Sequence, residues 1–172
     1  MTEDDKVWGQ EFVTRAAREG GTVGAKVCVV IHLGSDSSGK RWPSKNARSI
    51  LTLAVERGYH CFLFDPMDVV GEWSCGGVTT IGKMAPNQVT AVISACDVLL
   101  CVDSSVFKMG TYFGKKVMPL FGFVPHQDLA AKPICGNGGV PSAEDIFFAI
   151  DNWIETSTGS GAVLGEIRTF EI

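Results

Sequence analysis

Apolar residues along the chain follow two patterns, one typical of buried strands and the other of amphipathic helices. Nearly continuous apolar runs predict five short strands covered on both faces, over residues 26–33, 59–64, 78–81, 97–102 and 117–121. Between strands, apolar residues recur at the spacing i, i+3, i+4 and i+7, which predicts helices that pack on a sheet. Two stripes have this spacing: Ala47, Ile50, Leu51 and Ala54, and then Val89, Val92, Ile93 and Cys96. Alternating strands and helices imply right-handed crossovers and a mostly parallel sheet.

The remaining segments are predicted from helix-capping residues and from Pro and Gly, which interrupt helices and strands. A short helix is predicted near 107–113, and a last helix follows Ser142, because Ser142 and Asp145 have the spacing of a capping box. One loose helix is predicted over 7–18, and the Pro- and Gly-rich stretch 123–141 predicts a long loop. The expected organisation is an N-terminal helix or extension over 1–24, a Rossmann-like domain over 25–156, and a flexible tail or added strand over 157–172.

The length and composition fit this organisation and narrow the possible functions. A chain of 172 residues predicts one domain, here a single three-layer α/β Rossmann-like domain with about five to six strands. A formal charge of -4 argues against a generally basic surface for nucleic acid. The acidic start and the absence of an apolar run of about 18 residues predict a cytoplasmic protein with no membrane span. The six cysteines form no C-x-x-C pair, so we expect reduced core thiols.

Candidate binding residues follow the first and fourth predicted strands, because ligands of parallel sheets bind outside the carboxyl ends of the strands. The candidates are His32, Gly34, Ser35 and Lys40 after the first strand, and Asp103, Ser104, Ser105 and Lys108 after the fourth. Backbone N–H groups at the start of a helix, together with a lysine, suit a phosphorylated ligand. Cys and His do not gather at metal-ligand spacing, and no Walker loop, nicotinamide fingerprint or G-x-S-x-G elbow is present, so no metal or resident cofactor is expected.

Each candidate also has a structural interpretation. Asp103, Ser104 and Ser105 are residue types that routinely cap a helix. His32 is more readily a core histidine than a catalytic residue, and Trp42 is more readily a packing residue than a stacking platform.

Several of these residues carry a resemblance to a known family. The pattern consists of His32-Leu33-Gly34-Ser35, Lys40-Arg41-Trp42-Pro43, Asp103 to Lys108, Gly114 and Leu120-Phe121-Gly122. With it, the stretch 29–122 resembles the C-terminal, nucleotide-sugar-binding domain of the heptosyltransferase family, glycosyltransferase family 9, one half of a GT-B fold. The resemblance implies that Lys40 contacts the phosphates or sugar of the donor. It also implies that Asp103 and the amides of 104–108 hold the sugar and diphosphate.

The chain departs from the family pattern in the most informative turn. Ser105 stands where the family has Gly, Val106 where it has Pro, and Lys108 where it has His, while Leu33 replaces a usual Pro. A serine at a position that needed φ > 0 would strain the turn.

The family resemblance also bears on catalysis, since these transferases carry the acceptor site and the general base on a separate N-terminal domain. The sequence thus predicts a glycosyltransferase-like domain that binds a nucleotide-diphosphate sugar as substrate. Hexosyl or heptosyl transfer would require an acceptor-domain protein or a homo-oligomer, and no catalytic residue is assigned. One alternative is a non-catalytic binding or assembly module descended from a glycosyltransferase. A weaker one is an N-glycosidase or deoxyribosyltransferase with Asp103 or Asp65 as its carboxylate.

Overall fold

A five-stranded parallel sheet lies at the centre of the protein. The computed structural model describes residues 1–22, 28–34, 42, 44–65, 76–102, 104–120 and 142–157. The strands are β1 (Cys28–His32), β2 (His60–Leu63), β3 (Val78–Thr80), β4 (Val98–Cys101) and β5 (Lys116–Pro119). They lie in the order β3-β2-β1-β4-β5, and every neighbouring pair is parallel. The predicted fold class is therefore confirmed.

The central strand shows why the apolar runs are continuous. Val29, Val30 and Ile31 are consecutive residues of β1, so they point to alternate faces of the sheet, and all three are 0% exposed. Val30 is aligned with Phe62 of β2 on one side and with Leu99 of β4 on the other. Both faces of the sheet are therefore covered, as in doubly wound proteins.

Five helices cover the two faces in three layers. They are α1 (Glu3–Glu19), α2 (Ser44–Glu56), α3 (Pro86–Ala95), α4 (Ser105–Tyr112) and α5 (Ala143–Ser157). Helices α2 and α5 pack on one face, in a core that includes Ile50, Leu51 and Phe147. Helices α1, α3 and α4 pack on the other, around Phe62, Val92 and Leu99. The capping box predicted at Ser142 is present, since the Asp145 N–H donates to Ser142 Oγ at 3.1 Å and Asp145 Oδ2 accepts from the Ser142 N–H at 3.2 Å.

Helix α1 extends beyond the predicted 7–18 in both directions and packs tightly on α3. A Cβ atom on Gly9 would lie 2.5 Å from the carbonyl oxygen of Ala91, so the two helix backbones touch at this point. Trp8 and Phe12 stack with ring centroids 5.2 Å apart, and Phe12 lies 6.0 Å from Phe62 of β2. The first helix is thus part of the same core as the sheet.

A buried histidine joins the end of α1 to the amino end of the sheet. His60 is 0% exposed, and its Nδ1 lies 2.7 Å from Thr22 Oγ1 while its Nε2 lies 3.0 Å from Thr79 Oγ1. The Thr22 hydroxyl donates to the Ala17 carbonyl, so it can only accept from His60, and Nδ1 carries the proton. Burial lowers the pKa of His60, which favours the neutral ring.

Several predictions concern residues outside the described ranges: the start of the first strand at 26–27, the loop over 123–141 and all but the first residue of the tail over 157–172. Among the described cysteines, Cys61, Cys96 and Cys101 are buried as predicted. In the described part of the chain, no helix is long and apolar enough to cross a membrane.

Substitution of Gly9 by Val is expected to lower the free energy of unfolding by about 2 kcal/mol, because the new side chain overlaps the Ala91 carbonyl. Urea unfolding measures this effect. Gln10→Ala, at the exposed neighbouring position, is the control and should change the free energy by less than about 0.5 kcal/mol. Equal effects of the two substitutions would contradict the close contact between α1 and α3.

The lowered pKa of His60 predicts that acid destabilises the protein. The unfolded chain binds a proton near pH 6.5 while folded His60 resists it, so stability is full above that pH and falls as the pH drops towards the folded pKa. One such histidine contributes a slope of at most about 1.4 kcal/mol per pH unit. Chemical unfolding of the wild type between pH 7.5 and 5.5 should show a steeper loss than His60→Gln, and parallel curves would contradict the assignment.

Candidate functional site

The order of the strands reverses between β1 and β4. From β1 the chain builds outward through β2 and β3, and then crosses back to add β4 and β5 on the other side. His32 at the end of β1 is aligned with Cys101 at the end of β4, and the Val102 N–H donates to the His32 carbonyl at 3.0 Å. The segments leaving β1 and β4 therefore start side by side at the point where doubly wound sheets form a ligand crevice.

Helix α4 begins at this crevice without a side-chain cap. Ser104 occupies the N-cap position with an extended backbone (φ -156°, ψ 176°), but its hydroxyl makes no capping hydrogen bond. Ser104 Oγ is buried and has no hydrogen-bond partner among the described residues. The prediction that Ser104 caps the helix is therefore wrong, because the first N–H groups of α4 do not donate to the Ser104 hydroxyl.

Two exposed polar residues lie in the first turn and a half of α4. Ser105 and Lys108 are three positions apart, so they share one side of the helix, and the Lys108 side chain points back towards the helix start. Ser105 is the first helical residue, and positive φ angles in the described chain occur only at glycines. The serine that replaces the family glycine therefore needs no left-handed conformation.

A glycine holds α4 close to the sheet. A Cβ atom on Gly110 would lie 2.3 Å from Leu99 Cδ2 and 2.8 Å from Val117 Cγ2, and Leu99 is almost fully buried. The start of α4 is thereby fixed against β4 and β5.

Trp42, which precedes α2, lies against the end of β1. The Trp42 N–H donates to the Leu33 carbonyl at 3.1 Å, so the chain returns to the end of β1 before α2 begins. Trp42 is 2% exposed and belongs to the core, which agrees with its interpretation as a packing residue. Its indole N–H nevertheless has no hydrogen-bond partner among the described residues.

His32 has a partner at one ring nitrogen. Its Nδ1 lies 2.9 Å from the Phe64 carbonyl oxygen, which can only accept, so Nδ1 donates. Burial lowers the pKa of His32, while the Phe64 carbonyl and the Asp65 carboxylate oppose this shift. The ring packs against Phe64 with centroids 5.0 Å apart. This is the geometry of a neutral core histidine whose Nε2 can still accept a hydrogen bond.

The described candidates gather at one edge of the sheet, and this part of the prediction follows directly from the strand order. The described candidates are His32, Gly34, Ser104, Ser105 and Lys108. Ser35, Lys40 and Asp103 lie outside the described residues. Asp65, the carboxylate of the alternative reaction, lies two residues after the end of β2 at the same edge. Across the described ranges, no group of three or more His, Cys, Asp or Glu is arranged to hold a metal ion.

The helices differ in the charge of their first turns. Helices α1 and α5 have acidic first turns (Glu3, Asp4 and Asp5, and then Glu144 and Asp145). Helices α2, α3 and α4 have no acidic residue there. An acidic first turn neutralises the positive end of the helix dipole, so the three uncompensated helices leave a positive field at the carboxyl edge of the sheet.

The fold and this edge define a Rossmann-like domain of the kind found in GT-B glycosyltransferases. The sequence profile of glycosyltransferase family 9 (heptosyltransferase) matches residues 7–138, so the chain belongs to this family. The resemblance found in the sequence is thereby confirmed. No curated protein matches the chain.

Three solved structures share the fold. A family 9 glycosyltransferase from Veillonella parvula DSM 2008 is 20% identical, with a TM-score of 0.63 over 91% of this chain and 53% of its own. The E. coli ADP-heptose lps heptosyltransferase II is 14% identical, with a TM-score of 0.65 over 92% and 53%. E. coli heptosyltransferase WaaC with ADP is 16% identical, with a TM-score of 0.54 over 83% and 47%. The chain spans about half the length of these structures.

Substitution of Ser104 by Ala is expected to leave the free energy of unfolding unchanged or to raise it by about 0.5 kcal/mol, because it removes a buried hydroxyl that has no described partner. Ser142→Ala is the matched control and should lower the free energy by about 1 kcal/mol, since Ser142 does cap its helix. Chemical unfolding without added nucleotide compares the two. A loss at Ser104 as large as that at Ser142 would show that Ser104 stabilises α4.

Proposed function

We propose that this chain is the donor-binding half of a family 9 glycosyltransferase and binds the nucleoside diphosphate group of a nucleotide sugar. The observation that carries the proposal is the uncapped start of α4 at the point of strand reversal, with the buried Ser104 hydroxyl beside it. A phosphate placed there would accept hydrogen bonds from the N–H groups of the first turn and from Ser104.

The charge at this edge supports an anionic ligand. The N–H groups at the start of α4 carry a partial positive charge that no acidic residue in the first turn offsets. Lys108 adds a full positive charge one turn along the helix and is exposed. The diphosphate would therefore replace the solvent at a preformed positive site.

Trp42, which follows β1 and precedes α2, carries a second buried polar atom without a described partner. Trp42 Nε1 and Ser104 Oγ are the two buried side-chain N or O atoms without a partner in the described part of the chain. They belong to the segments that follow β1 and β4, the two strands that flank the crevice. Buried polar atoms are nearly always hydrogen-bonded, so an unpartnered atom in each of these two segments favours a polar occupant next to them.

The relatives guide the choice of ligand. One neighbouring structure is described as an ADP-heptose heptosyltransferase, and two others as WaaC with ADP or with ADP-2-deoxy-2-fluoro heptose. ADP and an ADP-sugar are therefore the first ligands to test, and UDP and GDP serve as comparisons. Such a reaction would transfer a hexosyl or heptosyl group to an acceptor and release the nucleoside diphosphate.

Glycosyl transfer would need a second surface. One Rossmann-like domain can hold a donor at its strand ends, but transfer also requires an acceptor oriented against the anomeric carbon and shielding from water. We expect an acceptor-binding domain to supply that surface, from a partner protein or from another copy in a homo-oligomer.

Calorimetry with ADP, UDP, GDP and ADP-glucose tests the proposal. At least one diphosphate should bind, and Lys108→Ala should weaken its binding by about 5- to 10-fold through the loss of one charged contact. Lys115→Ala, after α4 and at the opposite end of the helix, is the control and should change the affinity by less than about twofold. No measurable heat at millimolar concentration with any of the four ligands would overturn the proposal.

A further inference from the structure

The outer side of α4 carries an exposed aromatic residue between two lysines. Tyr112 is 84% exposed, the largest fraction among the exposed large apolar side chains of the described residues. It lies two positions after Gly110, which faces the sheet, so its ring points away from the core. Lys108, one turn before Tyr112, is exposed, and Lys115, three positions after it, is partly exposed. No acidic residue occurs between positions 104 and 119, so this side of α4 is basic.

The outer side of α5 has the same pattern with the opposite charge. Phe148 is 58% exposed and lies two positions from both Ile146 and Ile150, each 0% exposed, so its ring also points away from the core. Glu144 and Asp145 lie four and three positions before Phe148, on its side of the helix, and both are exposed. Helix α5 contains no lysine or arginine, so this side of the helix is acidic.

These two surfaces cannot meet within one copy of the chain. The α4 surface consists of Lys108, Tyr112 and Lys115, and the α5 surface consists of Glu144, Asp145 and Phe148. Helix α4 packs in the core on one face of the sheet and α5 in the core on the other, so the sheet separates the two surfaces. Opposite charges beside an exposed aromatic residue are the complementary features that protein interfaces use. The matching surface is therefore available on a second copy.

We propose that copies of this chain associate through the α4 surface of one copy and the α5 surface of another. The contact removes the two exposed aromatic rings from water and brings the lysines of one copy close to the carboxylates of the other. The apolar contact supplies the attraction, and the opposite charges set the orientation and exclude contacts between like surfaces. This proposal does not depend on the nucleotide ligand proposed above.

The shape of the assembly follows from the difference between the two surfaces. A contact between two different surfaces is heterologous, so a pair of copies still has one free α4 surface and one free α5 surface. Further copies can add until the assembly closes into a ring or extends as a filament. A contact between two helix faces buries a small area, so we expect weak association, with a dissociation constant of about 10 to 100 μM.

Sedimentation velocity of the wild type tests the association. The sedimentation coefficient should rise between about 5 μM and about 500 μM protein in low salt, a range that brackets the expected dissociation constant. Raising NaCl from about 0.05 M to about 0.5 M should weaken the association, because salt screens charges at the rim of a contact. Tyr112→Ala should weaken it at both salt concentrations, because the aromatic contribution is not screened.

Charge reversal on each surface tests which residues are used. Lys115→Glu and Glu144→Lys should each weaken self-association by at least about tenfold, because each places like charges against each other. Lys108 is left unchanged, because it belongs to the proposed diphosphate site. Glu11→Lys, at an exposed position of α1, makes the same change in net charge as Glu144→Lys and is the control. It should change the dissociation constant by less than about twofold.

An equimolar mixture of the two reversed variants separates a lost contact from a lost fold. The Glu144→Lys variant keeps an intact α4 surface, and the Lys115→Glu variant keeps an intact α5 surface. The mixture should therefore associate at concentrations where each variant alone is monomeric. Variants that had lost their fold would not associate specifically when mixed.

Three results would overturn the proposal. The first is a wild type that remains monomeric at the highest concentration in low salt, whichever other protein covers these surfaces. The second is self-association that neither reversed variant weakens, and the third is an equal loss with Glu11→Lys, which would indicate net charge rather than these surfaces. Each of these results leaves the proposed function intact, because calorimetry measures nucleotide binding separately.

Discussion

The reversal of strand order beside β1 is the constraint on which the rest of the molecule depends. Because β1 pairs in parallel with both β2 and β4, its carboxyl end lies beside the carboxyl ends of those two strands. The helices that follow must start there as well, since a right-handed crossover places each helix start at the carboxyl edge. Positive helix ends and polar turns are thereby concentrated at one edge of a sheet whose interior is apolar.

Buried polar groups at the two edges of the sheet differ in whether they have hydrogen-bond partners. At the amino edge, both ring nitrogens of His60 have partners, and Asp151 of α5 accepts from both Arg57 and Tyr59. At the carboxyl edge, Ser104 Oγ and Trp42 Nε1 are buried without partners among the described residues. The paired groups at the amino edge stabilise the folded chain. The unpaired atoms at the carboxyl edge remain able to form hydrogen bonds with a group outside the described residues. This is the division expected when stability and binding are located at opposite ends of one sheet.

The sequence predicted the fold well because burial on both faces leaves a strong local signal. The environment of two segments is visible in their spacing: the continuous run Val29 to Ile31 and the helical stripe Ala47, Ile50, Leu51 and Ala54 are buried as predicted. The candidate edge was predictable for a topological reason, since residues that follow parallel strands must share it. The surroundings of Asp65 were not predictable, because His32 and Gly82, which lie against the chain there, are remote from it in sequence. The missing cap at Ser104 was not predictable either. Serine favours the N-cap position, and only the structure shows that the Ser104 hydroxyl makes no capping hydrogen bond.

The charge of the chain makes a local site necessary for any anionic ligand. A formal net charge of -4 repels a diphosphate at long range, but charges beyond a Debye length of about 8 Å are largely screened at physiological salt. In the first turn and a half of α4, the described contributions are the helix end and Lys108, both positive. The acidic first turns belong to α1 and α5, where capping boxes already occupy the helix starts. An anion would therefore be attracted to the start of α4, which has neither a side-chain cap from Ser104 nor an acidic first turn, although the molecule as a whole is acidic.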